Sequence, residues 1–434
     1  MTPEMEGDSF IIQGSVSGGM GGHGGAGANG LNGTKGGAGG NGGRGGESRN
    51  YAENSGGNGG NGGNGGNGGN GGNGGNGGNG GVGGDGIIVS KNNVQITNLS
   101  TVVGGNGGSG GVAGSAGLAG AGGKGGNGGD VPIGSPTTRG KRGEDGAFGE
   151  NGINGRVGNG GAGGTAINIS ADGVILLNQG KVLGGTPGSI NAQPGEAIVV
   201  SGKNSHIIND IGGEIRSSGL NGKAVEYEAG ADNGIFEMRT NSIVGVVDAT
   251  KISNSKLVLG GNTAKENSTF IASKIGNGRQ YQGFSNYEVN TSEGSTWNLI
   301  GETTALTPWT VTEGTLAIVS DHSLGSTDGA LTLNGGVLQT VLNVNSDRRF
   351  NLTAESLNGG ILTDGDLTLT NVISGVGGLK KTGNATLILG GQNDYTGRTI
   401  ISSGNLFLTG EGGIEHSESV ELSKGTSLNI SSTT

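Results

Sequence analysis

The residues able to do covalent or acid–base chemistry are sparse. The chain has four histidines and no cysteine, so thiolate nucleophiles, disulfides and cysteine-held metals are excluded. Gly7-Asp8-Ser9-Phe10 sets a carboxylate beside a hydroxyl. A serine nucleophile also needs a histidine base and an acid that orients it, and neither an upstream His–Asp pair nor a Gly-Asp-Ser-Gly block is present. Asp321-His322-Ser323 has suitable residue types but falls between strands, and reads as a solvated turn. Gly80-Gly81-Val82-Gly83-Gly84-Asp85-Gly86-Ile87 fits a calcium-binding nonapeptide once, whereas that motif works in tandem copies. No catalytic residue, metal or cofactor is therefore expected. What remains is the chemistry of recognition. Arg49, Asn50 and Tyr51 combine charge, amide and ring, the residue types that dominate binding hot spots. A second break in the pattern holds Pro132, Ile133, Thr137, Thr138 and Arg139. For both breaks a merely polar turn is the competing reading. Tyr281, Phe284, Tyr287, Trp297 and Trp309 concentrate rings in an aromatic-poor chain, and fit core or coil-stacking roles better than a glycan platform.

The two breaks must be positioned by unusual elements. Glycine supplies 108 of 434 residues, proline only 6, and aromatics 3%. Such a chain cannot fill a conventional globular core along its whole length. So little proline also excludes a collagen triple helix. A charge of −10 argues against general nucleic-acid binding. No apolar stretch approaches the ~18 residues of a membrane-spanning helix. The N-terminal Met1-Thr2-Pro3-Glu4-Met5-Glu6 is acidic and lacks a secretory n-region and h-region.

Glycine falls on every third residue from Gly18 to Gly45, as Gly-Gly-Asn triplets through Asn58 to Asn79, from Gly105 to Gly129, and from Gly140 to Gly164. A flexible linker has no reason to hold that period. A left-handed helix with three residues per turn does, because every third residue then lines one face. A face without Cβ lets another backbone approach closely. Four polyglycine II-like strands are therefore expected. Residues 18–86 form one antiparallel hairpin and 104–164 a second, with tips at 47–55 and 131–139. The two lie side by side as a four-stranded bundle. The Gly-Gly-x run has two bare faces for neighbours, and the Gly-x-y run at 140–164 lies outside.

Between the runs a different repeat emerges. Ser90 to Gly105 aligns without a gap on Ser170 to Gly185, and a third copy begins at Ser201. Ile11 to Gly19 opens the chain as a partial copy. Short β-branched alternations with Gly/Asn corners are the mark of a parallel β-helix. Asn98, Asn178 and Asn209 are expected to stack at one corner as a structural amide ladder. The fold class is thus all-β: a right-handed parallel β-helix with the four-stranded bundle inserted. Residues 1–17 form a first coil, 18–164 the hairpin insertions around a coil at 87–103, and 165–434 the stem.

Gly375-Val376-Gly377-Gly378-Leu379-Lys380-Lys381-Thr382-Gly383-Asn384-Ala385-Thr386-Leu387, continuing through Tyr395-Thr396-Gly397 to Leu406, resembles the passenger-associated transport repeat of bacterial autotransporters, placed here at 375–408. Phe284 to Gly336 looks like the upstream part of such passengers. The resemblance implies export across a Gram-negative outer membrane and a cell-surface β-helical passenger. The family's signal peptide and C-terminal β-barrel translocator are not seen here, so a passenger fragment is expected. By period alone the glycine runs are similar to polyglycine II bundles of some phage tail-fibre tips. Gly7-Asp8-Ser9-Phe10 also resembles the nucleophile block of GDSL esterases, but the helical domain and late Asp-x-x-His of that family are missing. The expected function is non-enzymatic adhesion to a host-cell surface protein, extracellular matrix or glycan. The alternative is self-association between neighbouring cells, as in autoaggregation and biofilm formation.

Overall fold

The computed structural model describes residues 8–41, 58–131, 138–219, 222–261 and 267–433. Short strands of mostly three to five residues recur along the chain, and every pairing between them is parallel among the described residues. Each strand pairs with its counterpart one coil later, so the chain winds as a β-solenoid. One sheet of 11 strands runs from Ser9–Ile12 to Ile373–Gly375. In the first part, sheets of 5 and 6 strands complete each coil. They end at Ile243–Val244 and Tyr281–Gln282. Two new sheets, of 8 and 5 strands, open at Asn267–Ile271 and Val344–Ser346.

Alternation builds the core. In the long sheet one inward position stacks Ile96, Leu176, Ile207, Phe236, Leu257, Tyr287, Trp309, Leu331, Phe350 and Ile373 over successive coils. All are buried in one continuous cluster. A solenoid buries such a narrow column repeatedly, so few large side chains suffice per coil. The five clustered aromatics belong to it: Tyr281, Phe284, Tyr287, Trp297 and Trp309 are all buried. Tyr287 and Trp309 lie with ring centroids 5.3 Å apart.

The glycine runs leave and rejoin this solenoid between strands. The first departs after Val16–Ser17, and the chain returns at Ile87–Val89. The third departs after Thr101–Val103, and the chain returns at Ile167–Ile169. Each run bonds to others through main-chain groups every third residue. Gly84 N–H donates to Gly19 O, and Gly63 N–H to Gly40 O, both at 2.7 Å, so runs one and two point in opposite directions. Gly143 N–H donates to Gly126 O and Gly164 N–H to Gly105 O, opposing runs three and four. Gly18 bonds to Val103 and Gly39 to Lys124, which makes runs one and three parallel. Gly62 bonds to Lys141 and Gly83 to Ala162, making two and four parallel. Gly105 bonds to Gly84 and Gly129 to Gly60, closing the contact between two and three. Runs two and three thus each touch the other three. The short excursion at 186–195 also joins this array: Gly185 and Gly188 N–H donate to Gly164 and Gly161.

Candidate functional site

The glycines explain how main chains pack so closely. A Cβ on Gly30 would collide with the carbonyl of Gly72, one on Gly71 with that of Gly117, and one on Gly152 with that of Gly72. The run with glycine in two of three frames has bare positions toward both sides. The run at 140–164 has a single bare frame, and Lys141, Arg142, Glu144 and Phe148 stand exposed on it.

A second bonding system lies over the first. Each asparagine of the Gly-Gly-Asn run accepts a backbone N–H of the fourth run that no carbonyl reaches. Lys141 N–H donates to Asn61 Oδ1 at 2.9 Å, Glu150 to Asn70 at 2.8 Å, and Asn159 to Asn79 at 2.9 Å. Asn29 and Asn32 do the same for Ser115 and Leu118 at 2.9 Å, and Asn151 and Asn154 for Ala119 and Ala116 at 2.7 and 2.8 Å. A short amide side chain can satisfy a donor that would otherwise depend on water. Sequence reasoning gave these asparagines no role, although the confinement of Asn58 to Asn79 to one frame was visible.

Of the predicted tip residues, Arg49, Asn50, Tyr51, Pro132, Ile133 and Thr137 lie outside the described residues. Thr138 and Arg139 are exposed at the ends of the runs farthest from the coils. Thr138 N–H donates to Asn58 Oδ1 at 3.2 Å, and Arg139 pairs with Asp130 at 2.9 Å. Asn98, Asn178 and Asn209 are fully buried inside the solenoid. Asn98 Nδ2 donates to Asn178 Oδ1, and Asn178 Nδ2 to Asn209 Oδ1, each at 2.8 Å.

One sequence reading is overturned. Asp321-His322-Ser323 is not a solvated turn: Asp321–Leu324 is a 3-10 turn with Asp321, Ser323 and Leu324 buried. The cause is Arg348, only 1% exposed, whose guanidinium points inward and must find acceptors. It takes both Asp321 carboxylate oxygens, at 3.2 and 3.3 Å, and the carbonyls of Gly325, Ser326 and Gly329.

Where the array meets the solenoid, a charged cluster sits on the coil surface. Lys223 pairs with Glu226 and with Asp248, and Lys251 pairs with Glu226 at 2.6 Å. Burial, reinforced by the Glu226 carboxylate beside it, pushes the Glu196 carboxyl up to about 7. Burial works against the charge of Glu226 too, but hydrogen bonds from Lys223 and Lys251 hold it below the usual carboxylate range.

The chain thus combines a parallel solenoid with long glycine-rich insertions. Its described residues hold no group of three or more His, Cys, Asp or Glu able to bind a metal. Over 102 residues, 23% of its length, the chain is 39% identical to "Adhesin BmaC autotransporter" of Brucella suis biovar 1 (strain 1330). That stretch is 3% of the relative, so the chain spans a small part of the protein it resembles. The likeness is thus to one short stretch of a protein named as an autotransporter adhesin. No protein-family model and no solved structure matches.

Proposed function

We propose that this chain acts as the non-enzymatic passenger of a cell-surface adhesin. In this reading the glycine runs form a four-stranded polyglycine II-like bundle of two antiparallel hairpins, held outward by the β-helix. The supporting observation is the main-chain bonding that links all four runs at three-residue intervals. A surface stiffened in this way pays little ordering entropy when it binds. Its partner is a host-cell surface protein, extracellular matrix or glycan, met through hydrogen bonds along the bundle or through Arg49 and Tyr51 at its tip. Cells displaying the chain should lose attachment to host cells or matrix when residues 18–164 are removed, and also when Arg49 and Tyr51 are both replaced by Ala. Undiminished attachment without residues 18–164 would refute the bundle's role. If only the Arg49/Tyr51 variant keeps adhering, binding belongs to the bundle's sides.

Self-association is the second reading. Gly19, Gly22, Gly25, Gly37 and Gly40 face open space along one flank of the array, the same bare chemistry that pairs the runs internally. Settling of cells that display this chain alone, reversed by large side chains at these positions, would favour it over host attachment.

A further inference from the structure

The solenoid changes its sheets near residue 270, and the change leaves a cleft. There the regular coil gives way to two one-turn 3-10 helices, Ala272–Lys274 and Asp321–Leu324. Between them opens a cavity of about 640 Å³, lined by Ser273, Asn277, Arg279, Glu302, Thr304 and His322 among others. That volume is within the range of about 300–1,000 Å³ typical of small-ligand sites.

The walls of this cleft are tied together. Thr303 Oγ1 donates to Ile275 O at 2.9 Å, and Thr303 N–H to His322 O at 3.2 Å. Ser323 Oγ donates to Gly301 O at 2.7 Å. Gly276 N–H donates to Tyr281 O, and Arg279 N–H to Gly276 O, closing the loop that carries the guanidinium. Beneath the His322 turn lies Arg348, bonded to Asp321 and three carbonyls of the segment that follows. The polar groups at the rim therefore project from a braced framework, which is what a recognition site needs.

Their chemistry selects a ligand class. Arg279 is exposed and makes no ion pair among the described residues, in a chain whose net charge is −10. An unpaired guanidinium offers a planar fork suited to a carboxylate. Ser273, Asn277 and Thr304 offer hydroxyl and amide partners, and Glu302 accepts hydroxyl protons. Among the described residues no Phe, Tyr or Trp lines the cleft, and the His322 imidazole is its one ring, so a large flat apolar ligand would find little stacking surface. We propose that this cleft binds the carboxylated pyranose of an acidic glycan, with the sugar carboxylate on Arg279 and its hydroxyls on the surrounding polar groups. The site lies on the stem and does not depend on any role of the glycine runs.

The test is calorimetric titration of the whole purified chain with three methyl glycosides: N-acetylneuraminic acid, glucuronic acid and galactose. Binding of one or both acidic sugars, with galactose at least about tenfold weaker, is expected, since a charge-assisted bidentate contact is lost with the carboxylate. The two acidic probes separate a sialoside from a uronate source. Arg279→Ala should abolish binding, Arg279→Lys should weaken it, and Glu302→Gln should preserve recognition of the carboxylate. Arg279 is exposed, so an unchanged circular dichroism spectrum and melting temperature should accompany the loss. Failure of both acidic sugars to bind, equal binding of galactose, or affinity indifferent to Arg279→Ala would overturn the proposal.

Discussion

At the scale of the residue, the solenoid is unusual in how it places ionisable groups. Glu196 follows Gly195, where the short excursion at 186–195 rejoins the coils, and Glu226 lies beside it, fixed by Lys223 and Lys251. Burial and that neighbour raise the Glu196 carboxyl from 4.5 to about 7. The unfolded chain gives up this proton at lower pH than the folded one does. The folded state therefore binds more protons across that interval, and stability falls as pH rises through it. Glu196→Gln removes the titration. Relative to the parent, the variant should gain melting temperature at pH 8 and not at pH 4.5. A difference between the two proteins that stays flat with pH would show that Glu196 does not hold its proton. Arg348 teaches another lesson at this scale. Nothing in Asp347-Arg348-Arg349 says which arginine turns inward, because the choice depends on acceptors contributed by residues 321–329, a coil away. The same blindness made Asp321 look like a surface residue.

At the scale of the element, adjacent glycines in one run do opposite jobs. A Cβ on Gly24 would run into the Gly78 carbonyl, whereas one on Gly25 would meet nothing within 4 Å. Gly24→Ala should force runs one and two apart, at a cost of about 1–3 kcal/mol or more, as overpacking does elsewhere. Gly25→Ala should be neutral or stabilise by up to about 1 kcal/mol, because it restricts the unfolded chain. Amide exchange of residues 18–41 in the two variants distinguishes these outcomes. Equal protection in both would mean that the runs are not packed as described. This alternation was legible in the sequence, since the period of three names the bare face. So was the solenoid: the gapless match of Ser90–Gly105 to Ser170–Gly185 becomes the parallel pairing of Ile96 with Leu176 and Asn98 with Asn178. The asparagine acceptors were not deduced, because a period reveals which residues share a face but not which donors on a neighbouring run lack a carbonyl. The cleft near residue 270 was hidden for a related reason. It exists where the two early sheets have ended, at Ile243–Val244 and Tyr281–Gln282, and a new one has opened at Asn267–Ile271, and no local motif marks that change.

At the scale of the whole molecule, the solenoid and the glycine array have different reasons to be stable. The solenoid stacks an apolar column, so each coil needs only its neighbours. The array has almost no apolar interior and holds through main-chain bonds in several directions at once. Runs two and three each contact the other three, so removing either hairpin strips partners from the one that stays. The solenoid itself shows how to make the deletion cleanly. Between Lys181–Leu183 and Ile198–Val200 the coil is closed by residues 184–197, and between Glu214–Arg216 and Lys223–Tyr227 by a still shorter connection. The link from Val103 to Ile167 spans the equivalent corner, one coil earlier. Replacing residues 104–166 with a copy of 184–197 should therefore leave the coils intact, with an unchanged β-type circular dichroism signal and melting transition. In that protein the amides of residues 58–86 that donate to the fourth run lose their acceptors, and those that donate to the first, such as Gly63 to Gly40, are left in a lone two-stranded ribbon, so all should exchange at rates near those of an unstructured peptide. Retained protection of 58–86 would mean that one hairpin is stable alone, and that the array is two independent ribbons rather than a cooperative unit. The coils melting along with the array would instead show that the insertions brace the solenoid, reversing the dependence argued from the packing.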